Sequence, residues 1–134
     1  NIRLTKEISD LPLIMGDSKS FLMVFSNLIV NAMEAMGDEK GAGGDLYVRV
    51  MRDLAPAEGR QGVVIEIADT GVGIPKSRQA SLFKGGGHST KGMEDRQRGM
   101  GLSLVWKLID QMGGEISVHS DPDSQPGTMF RIVV

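Results

Sequence analysis

At 134 residues with no cysteine and a formal net charge of −2, the chain suits one domain with its own core and excludes disulfides, thiolate metal sites and thiol nucleophiles. That charge gives no global basic field, so nucleic acid is not an expected partner, and no apolar run approaches the roughly 20 residues that span a bilayer. Eighteen glycines beside 4% aromatics, outside any collagen-like period, point to loops where backbone must bend sharply or approach a ligand.

The chain opens at Asn1 without an initiator methionine or a signal-peptide pattern, and reads as a piece of a longer protein. "NIRLTKEI" alternates as an edge strand, and Pro12 and Gly16 break it. Asp17 is placed to N-cap a long helix, "SKSFLMVFSNLIVNAMEAM". Phe21, Phe25, Leu28, Ala32 and Ala35 recur there at helical spacing, joined by Leu22, Ile29, Met33 and Met36. After a glycine-rich loop, "DLYVRVMRD" and "GVVIEIAD" each alternate in period two and predict an antiparallel strand pair. "KSRQASLF" is a short helix. The stretch of about 84–98, starting "KGGGHST", has no periodic apolar face and predicts a lid. "MGLSLVWKLIDQM" is a second amphipathic helix, with Leu102, Val105, Ile109 and Met112 on one face and Gly113 and Gly114 ending it. "EISVHS" and "TMFRIVV" are two more strands around the turn "DPDSQPG". Strands with one apolar and one wet face, and helices all packed on the apolar side, predict an α+β fold, a two-layer α/β sandwich.

Three constellations carry chemistry. Asn27 and Asn31 lie one turn apart on a largely apolar helix face, where buried amides need partners. An amide oxygen there suits Mg²⁺. In "IADTGVGI", Asp69 stands where a strand leaves the sheet and can accept from a purine exocyclic amine. Gly71 and Gly73 let backbone pass close to a flat ring, although Asp and Gly also make ordinary turns. In "RGMGLSL", Gly99 and Gly101 are expected at a helix start, where free amides and the dipole favour an anion; a simple lid hinge would need the same glycines.

Taken in order, these segments resemble the catalytic, ATP-binding domain of sensor histidine kinases, the Bergerat-fold superfamily shared with gyrase, heat-shock chaperone ATPases and mismatch-repair ATPases. "NLIVNAMEAM" matches the N box, "DTGVGI" and "GMGLSL" the two glycine boxes, "LFKGGGHSTK" the F box and "GTMFRIVV" the closing strand. The resemblance covers essentially the whole chain and implies ATP and Mg²⁺ as ligands. It implies that Asn31 coordinates Mg²⁺ with Asn27 assisting, and that Asp69 accepts from the adenine amine. Gly71, Gly73 and Ile74 would shape the base pocket, with Phe83 of the F box beside the nucleotide. Gly99, Gly101 and Leu102 would line the phosphates, and Thr128 would support Asp69 directly or through water. Lys91 and Arg98 would either balance phosphate charge or sit solvated.

Departures from the family pattern matter. Position 27 carries a water-activating glutamate in hydrolytic relatives; an asparagine cannot take that proton, so slow hydrolysis and transfer to a better nucleophile are expected. Glu34 replaces a common Lys or Arg, and Gly85, Gly86 and Gly87 replace the usual aromatic centre of the F box. Neither His88, in the lid, nor His119, on a strand facing solvent, has the helical, acid-flanked setting of the family's phosphoacceptor. The acceptor is expected on an upstream helical dimerisation domain, so this chain alone is not expected to autophosphorylate. A response regulator receiver domain is the implied downstream partner. The setting is cytoplasmic without membrane contact by this domain, even if the parent is membrane-anchored. The rival readings are a hydrolytic ATPase or serine kinase of the same superfamily, and a non-catalytic docking module.

Overall fold

The computed structural model describes residues 1–37, 43–56, 62–84 and 92–134, with backbone alone over 92–100. The elements are β1 (Ile2–Ile8), α1 (Ser18–Ala35), β2 (Gly44–Arg52), β3 (Val63–Asp69), α2 (Lys76–Gln79), α3 (Gly92–Gln111), β4 (Glu115–Asp121) and β5 (Gln125–Val133). They build one five-stranded sheet in the order β1-β2-β3-β5-β4. Only β1 and β2 run parallel, joined through α1; every other neighbouring pair is antiparallel. This is the mixed, two-layer α/β arrangement expected. Among the described residues, no helix is long and apolar enough to cross a membrane.

The long α1 starts where Asp17 accepts from the Lys19 and Ser20 amides at 3.4 and 3.1 Å, satisfying donors that a first turn otherwise leaves open. Its fully buried stripe is Val24, Leu28 and Ala32, continued by Met36. The expected stripe was centred about one residue away: Phe21, Phe25 and Ile29 flank the core half-buried, and Leu22 is 67% exposed. Leu102, Val105 and Ile109 of α3 meet that stripe, and both helices cover Leu46, Ile65, Ile67, Phe130 and Ile132 of the sheet.

Two boundaries differ from expectation. The β4–β5 turn contracts to Pro122–Ser124, because both strands extend into the polar stretch. More consequentially, α3 begins at Gly92 and not at Met100. Met93, Glu94, Arg96, Gln97 and Arg98 are good helix formers, and their run carries the helix through Gly99 and Gly101, each of which weakens it by only about 1 kcal/mol. The predicted lid therefore ends in helix, while its 85–91 portion, with His88 and Lys91, lies outside the described residues.

On the outer face, β1 to β5 set Glu7, Arg49, Glu66 and Arg131 directly opposite one another. The contacts are 3.1, 3.7 and 3.6 Å along the row, so one rung of alternating charge crosses four strands. That face is not uniformly wet. Val64, between Met51 and Val133 in the register, is only 3% exposed.

Candidate functional site

The i, i+4 spacing of α1 puts Asn27, Asn31 and Ala35 on one face, and the two glycine segments meet that face at opposite ends. At one end, Asn27 turns its Nδ2 back to the Met23 carbonyl at 2.8 Å, which leaves Oδ1 directed at α3. A Cβ on Gly101 would come within 2.8 Å of that oxygen, so only glycine fits the crossing without a shift. At the other end, the Val72 amide donates to the Ala35 carbonyl at 3.0 Å. A Cβ on Gly71 would stand 2.5 Å from Ala35 backbone atoms. Asn31 lies between these two approaches, and among the described residues its buried Nδ2 has no hydrogen-bond partner. A buried donor left unpaired costs about 1–3 kcal/mol, so this amide nitrogen is free to donate to an acceptor beside it.

Asp69 ends β3, where it pairs with Leu46 on one side and Thr128 on the other. It is 8% exposed and accepts the Gly71 amide at 2.8 Å. Burial pushes its carboxyl above the ordinary aspartate value, while the Gly71 and Thr128 backbone amides pull partly the other way. Thr128 stands beside Asp69 in the strand register. Its hydroxyl donates instead to Ser120 Oγ at 3.5 Å, because the antiparallel pairing of β4 and β5 brings Ser120 nearer to it. Beyond Asp69, Gly73 adopts φ 78, and the Ile74 amide donates to Ser120 Oγ at 2.8 Å while its side chain packs against the core. Gly127 adopts φ 113, and a Cβ there would run into the Asp69 carbonyl.

Other expected residues fall differently. Gly99 and Gly101 lie well past the first turn of α3 and not at its start as expected, so their amides are not among the donors that a helix N-terminus leaves open. The Leu102 side chain is 6% exposed and belongs to the core, as an apolar residue on the buried face must. Phe83 packs edge-on against Phe130, centroids 6.4 Å apart and planes at 73°, which anchors the segment after α2 to the sheet. Lys91 and the side chain of Arg98 lie outside the described residues. His119 is exposed on β4, 3.2 Å from Ser117 Oγ.

Three residues of this region escape a reading by pattern. Ala35 had a signal: a small residue two turns after Asn27 on the same face. Ser120 and Gln79 had none, since a serine before Asp-Pro reads as a turn residue and a glutamine on a short helix as surface.

The arrangement offers a buried carboxylate acceptor, glycine backbone next to it, and, one turn from Asn27, a buried amide nitrogen without a partner among the described residues. That set suits a flat base with donors at one end and a polar or anionic group at the other. Among the described residues no three His, Cys, Asp or Glu side chains cluster as a metal cage.

Comparison with known proteins places the chain among relatives of one kind. It is 32% identical over 135 residues to the signal transduction histidine-protein kinase BarA of Escherichia coli K12, covering 98% of this chain and 14% of BarA. It is 37% identical over 129 residues to the sensory histidine kinase/phosphatase NtrB of Rhodobacter capsulatus, covering 91% of this chain and 33% of NtrB. The chain therefore spans only about a seventh to a third of the length of these relatives. The solved structure of the mycobacterial sensor histidine kinase MprB superposes with a TM-score of 0.77 at 26% identity, over 99% of this chain and 82% of that one. The family described as "Histidine kinase-, DNA gyrase B-, and HSP90-like ATPase" matches residues 16–134, and the chain belongs to it.

Proposed function

We propose that the chain is the ATP-binding catalytic domain of a sensor histidine kinase, holding ATP–Mg²⁺ and presenting the γ-phosphate to a histidine on a separate helical domain. The reading rests above all on the buried Asn31 Nδ2, without a partner among the described residues and set one turn from Asn27 between the two glycine approaches. An amide offers an oxygen to a cation and an NH₂ to a phosphate, so the Asn31 side chain fits a magnesium-bound phosphate. The lack of an acidic cluster among the described residues fits a cation that arrives with its phosphates. When bound, Mg²⁺ neutralises the charge that develops on the transferring phosphoryl group.

The chain's own residues do the placing. Asp69 accepts from the adenine amine, and the Gly71 amide that donates to it fixes the carboxylate for that role. Gly71 and Gly73 leave room for the ring, Ile74 walls it, and Phe83 steadies the segment leading to the lid. Gly101 clears the space beside Asn27, and Lys91 and Arg98 balance phosphate charge from the lid. Asn27 cannot act as a base, so water is not activated and the phosphoryl group waits for imidazole. The histidine belongs to an upstream helical domain, and a receiver domain takes the phosphoryl group onward, in the cytoplasm.

Calorimetry tests the site: the wild type is expected to bind ATP–Mg²⁺, and Asn31→Asp and Asp69→Ala to lose it. Unchanged affinity in both variants would break the assignment. A phosphate-release assay separates the hydrolytic reading, since rapid steady-state turnover by the isolated chain would contradict a site without a general base.

A further inference from the structure

The loop from Gly71 to Ile74 leaves the sheet with two glycines and little side chain of its own to hold it. Its first half is tied by the Gly71 amide to Asp69 and by the Val72 amide to Ala35, and what holds its far end comes from β4 and α2. Ser120 Oγ accepts the Ile74 amide at 2.8 Å, donates to the Gly127 carbonyl at 2.7 Å and accepts the Thr128 hydroxyl at 3.5 Å. One donor and two acceptor positions are all a hydroxyl has, and each is used. Gln79 Nε2 donates to the Ile74 carbonyl and to the Ser120 carbonyl, both at 2.7 Å, which uses both of its protons. Ile74 is thus gripped at its amide and at its carbonyl. The same hydroxyl reaches the strand that pairs with Asp69, through Gly127 and Thr128. Gly73 makes the approach feasible: a Cβ there would stand 3.0 Å from Ser120 Oγ.

We propose that Ser120 and Gln79 are positioning residues for the base-reading loop, clamping Ile74 so that Gly71 and Gly73 stay open to the ring and Asp69 stays aimed at it. The proposal rests on the purine-site reading above. Neither residue touches the nucleotide; they act by keeping the loop in its competent conformation before any ligand arrives. A loop competent only about a tenth of the time weakens apparent binding about tenfold.

The test uses Ser120→Ala and Gln79→Met with three readouts: melting temperature, backbone amide exchange without nucleotide, and ATP–Mg²⁺ affinity. The expected result is faster exchange at Ile74, unchanged exchange at Ile65 and Ile67 in the middle of β3, and a dissociation constant raised about tenfold. Gln79 sits on a four-residue helix outside the core, so its variant decides the question if Ser120→Ala fails to fold. Unchanged exchange at Ile74 in the folded variants overturns the proposal, and so does faster exchange with undiminished affinity. Failure of the wild type to bind nucleotide would instead overturn the purine-site reading, and the exchange data would still decide whether these two side chains hold the loop.

Discussion

Asp69 stands at a point where site and stability oppose each other. Burial raises its carboxyl above the ordinary aspartate value, so the folded chain holds that proton more tightly than the unfolded chain does. Stability from this group is therefore fully present below the unfolded value and is lost as pH rises through the folded one. At neutral pH the ionised side chain is a net cost to folding. Asp69→Asn is expected to melt higher than wild type near neutral pH while losing ATP binding, and the melting advantage should vanish in acid. Wild-type affinity should fall on acidification at a pH higher than that at which a solvated aspartate titrates. Thermal melts and titration calorimetry across the acid range check both, and an asparagine variant less stable than wild type at pH 7 would contradict the desolvation argument. The strand end at Asp69 was legible because an acid and alternate glycines after an apolar run must leave the sheet there, whether for a turn or for a ligand. The partner of the Thr128 hydroxyl was not legible. It depends on which serine the β4–β5 register brings alongside, and register is set by tertiary pairing.

Helix boundaries show the same division. Asp17 was readable as a cap because an acid before a long apolar-periodic run has a mechanical use, and its carboxylate does accept from Lys19 and Ser20 amides and the Ser20 hydroxyl. The hydrogen bonds from the Ser20 hydroxyl and amide lower its pKa, so its stabilising contribution is present above the unfolded value and is lost as pH falls through the folded one. Asp17→Ala should melt below wild type at neutral pH, and the two curves should converge in acid; a constant gap would refute the cap as the cause. The start of α3 was not readable. "RGMG" looks like a hinge before a helix, yet the helix formers ahead of it outweigh two glycines once Leu102, Val105 and Ile109 anchor the following turns in the core.

For the molecule as a whole, the strands were legible from alternation, whereas their order was not. Placing β5 between β3 and β4, and β1 parallel at an edge, is a choice of pairing that local pattern does not encode. The rung of Glu7, Arg49, Glu66 and Arg131 is one consequence of that order. Exposed pairs are individually worth about 0–1 kcal/mol, but Arg49 faces an acid on each side. Arg49→Ala should therefore cost about 1 kcal/mol or less, and Arg49→Glu more, because it sets three carboxylates in a row. Urea unfolding at low and high salt checks this; equal costs for the two variants, or no narrowing of their difference in salt, would show that the rung carries no energy. The contact between Gly101 and Asn27 has a mechanical result as well. A side chain at position 101 would have to push the Asn27 amide aside, and Gly101 with Gly99 lowers the helix propensity of that turn. Bending of α3 therefore costs least at that turn, beside the Asn27 side chain and ahead of the stretch that Leu102, Val105 and Ile109 hold in the core.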